Sequence, residues 1–211
     1  MSTTVAPAAG TDEVVEPTPA DAVHHTSTGL SNEKLAMWAF LASECLLFGG
    51  LISTYLLYRN HTVRNGPTVA SLYDIPFTSV SSFVLLMSSL TMVLALSATQ
   101  RGDQTRSRIW LLTTALLGST FVAGQVYEFT TFVHEGLGFT TNLQSSAFYV
   151  LTGFHGAHVT IGILILLSLV VMSLRGTLPA SRAEVVEIAG LYWHFVDVVW
   201  IVIFTVVYLI R

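Results

Sequence analysis

The sequence predicts an all-α integral membrane protein, a bundle of five transmembrane helices with its N-terminus in the cytoplasm and its C-terminus outside. Three observations carry that expectation. Of the 211 residues, 52% are hydrophobic and only 10% charged, with a mean hydropathy of +0.65, whereas soluble domains are about a quarter charged. Five apolar runs each reach the ~20 residues that cross a bilayer. Within those runs sit acids and histidines that lipid will not tolerate, so the helices must enclose a polar interior.

Residues 1–33 contain no Lys or Arg and are rich in Thr, Ala, Pro and acids. They bury too little apolar area to offset ordering entropy and are expected to form a mobile cytoplasmic tail, while residues 34–211 form the membrane domain. Nothing in the tail has the apolar core of a leader, so the first span is expected to direct insertion and the chain to be kept whole. The tail acids Asp12, Glu13, Glu16, Asp21 and Glu33 carry much of the net charge of −4. That balance excludes nucleic acid as a partner and predicts no acidic binding site. His24 and His25 read as solvated residues. Cys45, the single cysteine, rules out a disulfide within one copy and a thiolate metal cluster, and reads as a small buried hydrophobe.

The spans are expected at about 35–58, 77–99, 109–133, 146–174 and 185–210. Between the first two, Gly66, Pro67 and Pro76 break the helix. The later loops are short, which favours antiparallel neighbours. No internal repeat is visible, and five spans cannot divide into equal inverted halves of the transporter kind. Basic residues set the orientation: Lys34, Arg101, Arg106, Arg108, Arg175 and Arg182 flank the spans on one side, Arg59, Arg64 and Arg211 on the other. The richer side is cytoplasmic.

Four spans carry groups that would be costly against lipid. They are Glu44 in the first, Gln125 and Glu128 in the third, His155 and His158 in the fourth, and His194 and Asp197 in the fifth. The last three sets are spaced i, i+3, so each defines one inward stripe. At ~1.5 Å per residue, Glu44, His194 and Asp197 lie at similar depth, and His155 and His158 approach it from the other end. The second span offers mainly Ser and Thr, which can bond back to their own helix. Gly153, Gly156, Ala157 and Thr160 make a small-residue surface for close helix approach, as do Gly49 with Gly50 and Gly118 with Gly124. Trp38, Trp110 and Trp193 are candidate interfacial anchors.

Four readings of the polar stripes compete on the residues alone. The acids and histidines satisfy one another and fix helix register. Alternatively, His155, His158 and His194 supply haem or metal ligands in a free-standing protein, although no Glu-x-x-His pair of the di-iron kind occurs in the spans. A third is a proton path using Glu44. The fourth is lipid binding at the boundaries.

The runs WAFLASECLLFGGL, FVAGQVYEF, FYVLTGFHGAHVTIG and YWHFVDVVWIVIFTVVYLI, in this order on successive spans, resemble subunit III of haem-copper terminal oxidases, the cytochrome c oxidase subunit 3 family. The resemblance covers the chain from Leu35 to its end. It implies an accessory subunit with no metal, haem or copper of its own and no catalytic residue, packed against subunit I in a complex with subunit II, where haem and copper reduce dioxygen and protons are pumped. It further implies a multi-pass protein of the bacterial plasma membrane in aerobic respiratory electron transport, able to enter a respiratory supercomplex. Support of proton uptake and ordered phospholipid are also implied. Glu44 stands at the family's carbodiimide-reactive glutamate. Glu128, His155, His158, His194, Asp197 and Trp200 match other signature positions, which read as interior hydrogen-bonding and packing groups. On the residues alone Gln125 joins the buried polar set, and Trp38, Trp110, Gly153, Gly156 and Trp193, with Trp200, read as packing or lipid-facing residues. The seven-span form has two further N-terminal helices and a lipid cleft. Here either that cleft is open to the bilayer or subunit I supplies the missing helices. Glu44, where quinol oxidases of the family tend to carry Asp, favours cytochrome c over quinol as electron donor.

Overall fold

A computed structural model describes residues 31–59 and 75–210. The acidic tail with His24 and His25, the Gly66–Pro67 break, Arg64 and Arg211 lie outside the described residues. The five expected spans are all helical: α1 Asn32–Tyr58, α2 Ile75–Gln100, α3 Gln104–His134, α4 Leu143–Leu174 and α5 Ala183–Phe204. A 3₁₀ turn, Ala180–Arg182, leads into α5, and a π-helical turn, Thr205–Leu209, prolongs it. Among the described residues there is no strand.

Local chemistry sets the boundaries. Pro76 occupies the first turn of α2, where no helical N–H is lost. Three helices end on a left-handed glycine: Gly102 (φ 76°), Gly136 (φ 85°) and Gly176 (φ 72°) follow α2, α3 and α4. After each, the next N–H returns to a carbonyl of the last turn, as from Leu137 to Phe132 at 2.9 Å and from Thr177 to Met172 at 3.0 Å. Asp103 closes α2 in this way and also caps α3, its carboxylate accepting from the Arg106 N–H. Asn142 and Ser145 form a reciprocal capping box at the start of α4.

Helices α2, α3, α4 and α5 pack as a closed ring in that order, α2 also lying beside α5. The Trp193 indole fills the centre. It is 1% exposed and donates its N–H to Ser88 Oγ at 2.9 Å. A β-carbon added to Gly118 would stand 2.5 Å from this ring and one added to Gly162 2.8 Å, so two glycines on different helices form the slot. Trp200, about two turns further along the same face of α5, donates to Ser82 Oγ at 2.8 Å and meets Phe121 edge-on. Trp193 is therefore a core residue and not the interfacial anchor expected from its place near a span end. Of the other tryptophans, Trp38 is 53% exposed and Trp110 is half-buried against the core.

Helix α1 lies outside this ring. Only 11% of its central window is buried, against 33–50% for the other spans. Its contacts are made by long side chains: Phe48 against His158 and Phe195, and Phe40 stacked on Tyr192. At one end Lys34 pairs with Glu187 at 2.9 Å, and at the other Arg59 donates to the Ile210 carbonyl at 3.1 Å.

The glycines expected to admit a neighbouring helix differ. Gly156 faces Gln125 Oε1, 2.6 Å from an added β-carbon, and Gly124 faces Ser81 Oγ at 3.1 Å. At Gly49, Gly50 and Gly153 an added β-carbon meets nothing within 4 Å, so within this chain they admit no helix. Gly162→Ala is predicted to cost about 1–3 kcal/mol through overpacking against Trp193, and Gly153→Ala to stay within about 0.5 kcal/mol. Thermal unfolding of the purified protein measures both, and equal midpoints would show that the slot is not tight.

Candidate functional site

The seven polar residues singled out in the spans fall into separate groups, each built between helices.

Glu44 reaches from α1 to α4, where its Oε2 lies 3.2 Å from His158 Nε2. The other ring nitrogen of His158, Nδ1, lies 2.8 Å from the Phe154 carbonyl. A carbonyl only accepts, so Nδ1 carries a hydrogen and the Glu44–His158 contact holds one shared proton, on nitrogen or on oxygen. Both side chains are nearly buried, with 12% and 14% exposed. The Tyr192 hydroxyl donates to the His158 carbonyl at 3.0 Å, fixing the same turn of α4 from α5.

His194 and Asp197 share a face of α5 but are joined through α2. Ser89 Oγ donates to Asp197 Oδ2 and lies 3.0 Å from His194 Nδ1. Asp197 is 2% exposed, and its Oδ1 has no hydrogen-bond partner.

Glu128, on α3, is buried and accepts from Thr78 of α2 at 3.2 Å and from the Tyr208 hydroxyl at 3.1 Å. Tyr208 belongs to the π-helical turn that ends the α5 segment. One helical turn earlier on α3, Gln125 donates to the Thr152 carbonyl of α4 at 2.8 Å.

His155 stands apart. It is 0% exposed, stacked on Trp200 with centroids 4.9 Å apart, and edge-on to Phe121 and Phe48. Neither ring nitrogen has a partner. The three histidines are thus committed to three different environments: an aromatic cage, a glutamate and a serine. Among the described residues no group of three His, Cys, Asp or Glu side chains is placed to hold a metal.

Reading the sequence alone undervalued α2. Its hydroxyls bond back to their own helix, as Ser82 does to Thr78 and Ser88 to Leu85, but that is half of their role. With the hydrogen spent on a helix carbonyl, the oxygen lone pairs stay free to accept from Trp200 and Trp193. Thr78, Ser82, Leu85, Ser88 and Met92 are all buried at helical spacing. That periodicity of small and hydroxyl residues was the available signal. Cys45, expected to be buried, is exposed.

The family model described as "Cytochrome c oxidase subunit III" matches residues 11–210. The chain is 42% identical over 178 residues to a protein named cytochrome c oxidase subunit 3 from Bacillus sp. (strain PS3), covering 84% of this chain and 86% of that one. It is 39% identical over 187 residues to a quinol oxidase subunit 3 from Bacillus subtilis, covering 88% and 90%. A cytochrome c oxidase subunit 3 from Synechocystis is 42% identical over 172 residues, covering 81% and 72%.

Asp197→Leu is predicted to destabilise the protein by about 1–3 kcal/mol, because it removes the carboxylate that the Ser89 hydroxyl donates to in a water-poor interior. The yield of intact purified protein measures this, and a wild-type yield would show that the α2–α5 link is dispensable.

Proposed function

The chain belongs to the cytochrome c oxidase subunit III family, and we propose that it acts there as an accessory subunit without catalytic residues. It is a multi-pass protein of the bacterial plasma membrane and a subunit of a haem-copper oxidase. In this reading subunit I is its main contact, subunit II completes the complex, and haem and copper reside in those partners. Its N-terminus and the tail 1–33 are cytoplasmic, with the membrane domain at 34–211. Membrane phospholipid packs on its outer faces, and a respiratory supercomplex is a further level of assembly.

The observation that carries this reading is that Glu44, Glu128, His158, His194 and Asp197 each bond to a partner on another helical segment. Such groups behave as interhelical cross-links. None of them converges with others on a reacting centre. Glu44 and His158 join the peripheral α1 to the ring through one proton, so Glu44 modulates how α1 sits, and through it the support of proton uptake, without taking part in dioxygen reduction. Cytochrome c is the preferred electron donor on the glutamate at position 44. Relatives of both donor types are similar to this chain.

Two outcomes test the reading. Glu44→Gln is expected to leave assembly and haem content intact, because the amide keeps a hydrogen-bonding shape; loss of the oxidase on this change would make Glu44 essential. Replacing His155, His158 and His194 together is expected to leave the haem absorption of the co-purified partner subunits unchanged in band position. Disappearance of bands that travel with this chain after the subunits are separated would identify a free-standing haem protein instead.

A further inference from the structure

Between α1 and α5 lies a cleft of about 440 Å³, lined by residues that include Trp38, Leu41 and Cys45 of α1 and Leu191, His194 and Phe195 of α5. Every neighbour of His194 there is apolar or weakly polar. Among the described lining residues the imidazole is the group able to accept a proton near neutral pH, the Trp38 indole being a donor only, and its Nδ1 is already engaged by Ser89, which leaves Nε2 for the cleft.

We propose that His194, Ser89 and Asp197 form a proton-accepting relay, in which a proton taken up at His194 from the α1–α5 cleft is delivered through the Ser89 hydroxyl to the buried Asp197. The proposal does not depend on membership of an oxidase. The three groups permit two hydrogen-bond arrangements. In the first, the Asp197 carboxylate accepts from Ser89, and the Ser89 oxygen accepts from His194 Nδ1–H. When a proton from water binds Nε2, Nδ1 passes its hydrogen to Ser89 Oγ, and Ser89 passes its own to Asp197 Oδ2. The imidazole ends neutral with its hydrogen on Nε2, the serine is unchanged, and the added proton resides on Asp197. One proton enters, one carboxylate is neutralised, and every hydrogen bond reverses direction.

Two independent features favour a relay over a simple cross-link. Asp197 is 2% exposed with Oδ1 unpartnered, and an unpartnered buried oxygen costs least in the uncharged arrangement. No cation stands by to hold the charge: the described Lys and Arg residues, Lys34, Arg59, Arg101, Arg106, Arg108, Arg175 and Arg182, lie at or near helix ends or in the turns. The titratable groups of the neighbouring elements are otherwise occupied or weakly polar. On α1 these are Cys45 in the cleft and Glu44 bound to His158. On α4, His155 is caged by aromatic rings and His158 takes Glu44. Glu128 of α3 is held by Thr78 and Tyr208, and the α2 face brings only hydroxyls.

The test is time-resolved infrared spectroscopy of the purified complex after a rapid drop in pH. A carboxylic-acid carbonyl band that Asp197→Asn removes is expected to rise. Ser89→Ala is expected to slow that rise by ~100-fold or more, the scale on which a positioned proton-transfer group acts, while Ser89→Thr, which keeps the hydroxyl, stays close to wild type. If Ser89→Ala does not assemble, His194→Gln asks the same question, because an amide cannot pass the proton on. A band that Asp197→Asn leaves in place, or a wild-type rate in the Ala or Gln variant, overturns the relay.

Discussion

The Trp193 indole sets the distances on which the other contacts depend. It is a large, rigid plate at the middle of the ring, with Gly118 of α3 on one side and Gly162 of α4 on another, and its N–H is anchored on Ser88 of α2. Four helices are thereby held at separations fixed by one side chain. In hydrocarbon there is no hydrophobic gain from pressing helix against helix, so packing and interhelical hydrogen bonds decide association. Once Trp193 is seated, Trp200 comes into register with Ser82, the bonds of Glu128 and Gln125 close at ordinary lengths, and Asp197 meets Ser89.

Helix α1 obeys a different rule. It does not enter the ring, and it is held by an ion pair at one end, a carbonyl at the other, and the single-proton contact of Glu44 with His158 between them. Exposed ion pairs contribute little, so the contact inside the membrane and the aromatic stacking of Phe48 and Phe40 carry more of the attachment. A helix attached in this way can lean without disturbing the four behind it. The cleft beside His194 lies along this loosely attached helix.

Acids inside the bundle meet hydroxyl groups of neighbouring helices at several points. The hydroxyls are those of Ser89, Thr78 and Tyr208. A hydroxyl both donates and accepts, so it can satisfy an acid in either protonation state, a property that an ammonium or guanidinium group lacks. Two arrangements differ: Glu44 and His158 pair with each other, and His155 is set among the rings of Phe48, Phe121 and Trp200.

The amino-acid sequence by itself determined the class, the number of spans and which residues had to face inward. Chain length against bilayer thickness and the cost of charge in lipid are both one-dimensional constraints, readable from apolar run length and from residues such as Glu128 and Asp197. Family membership was equally legible, because the signature runs are contiguous. Pairing was not. That Asp197 would meet Ser89 instead of its own neighbour His194, that Trp193 would fill the core, and that Gly162 and not Gly153 would be the close approach depend on the rotation of each helix against the others. Rotation is set by side-chain shape across helices distant in sequence, and only the tertiary structure decides it.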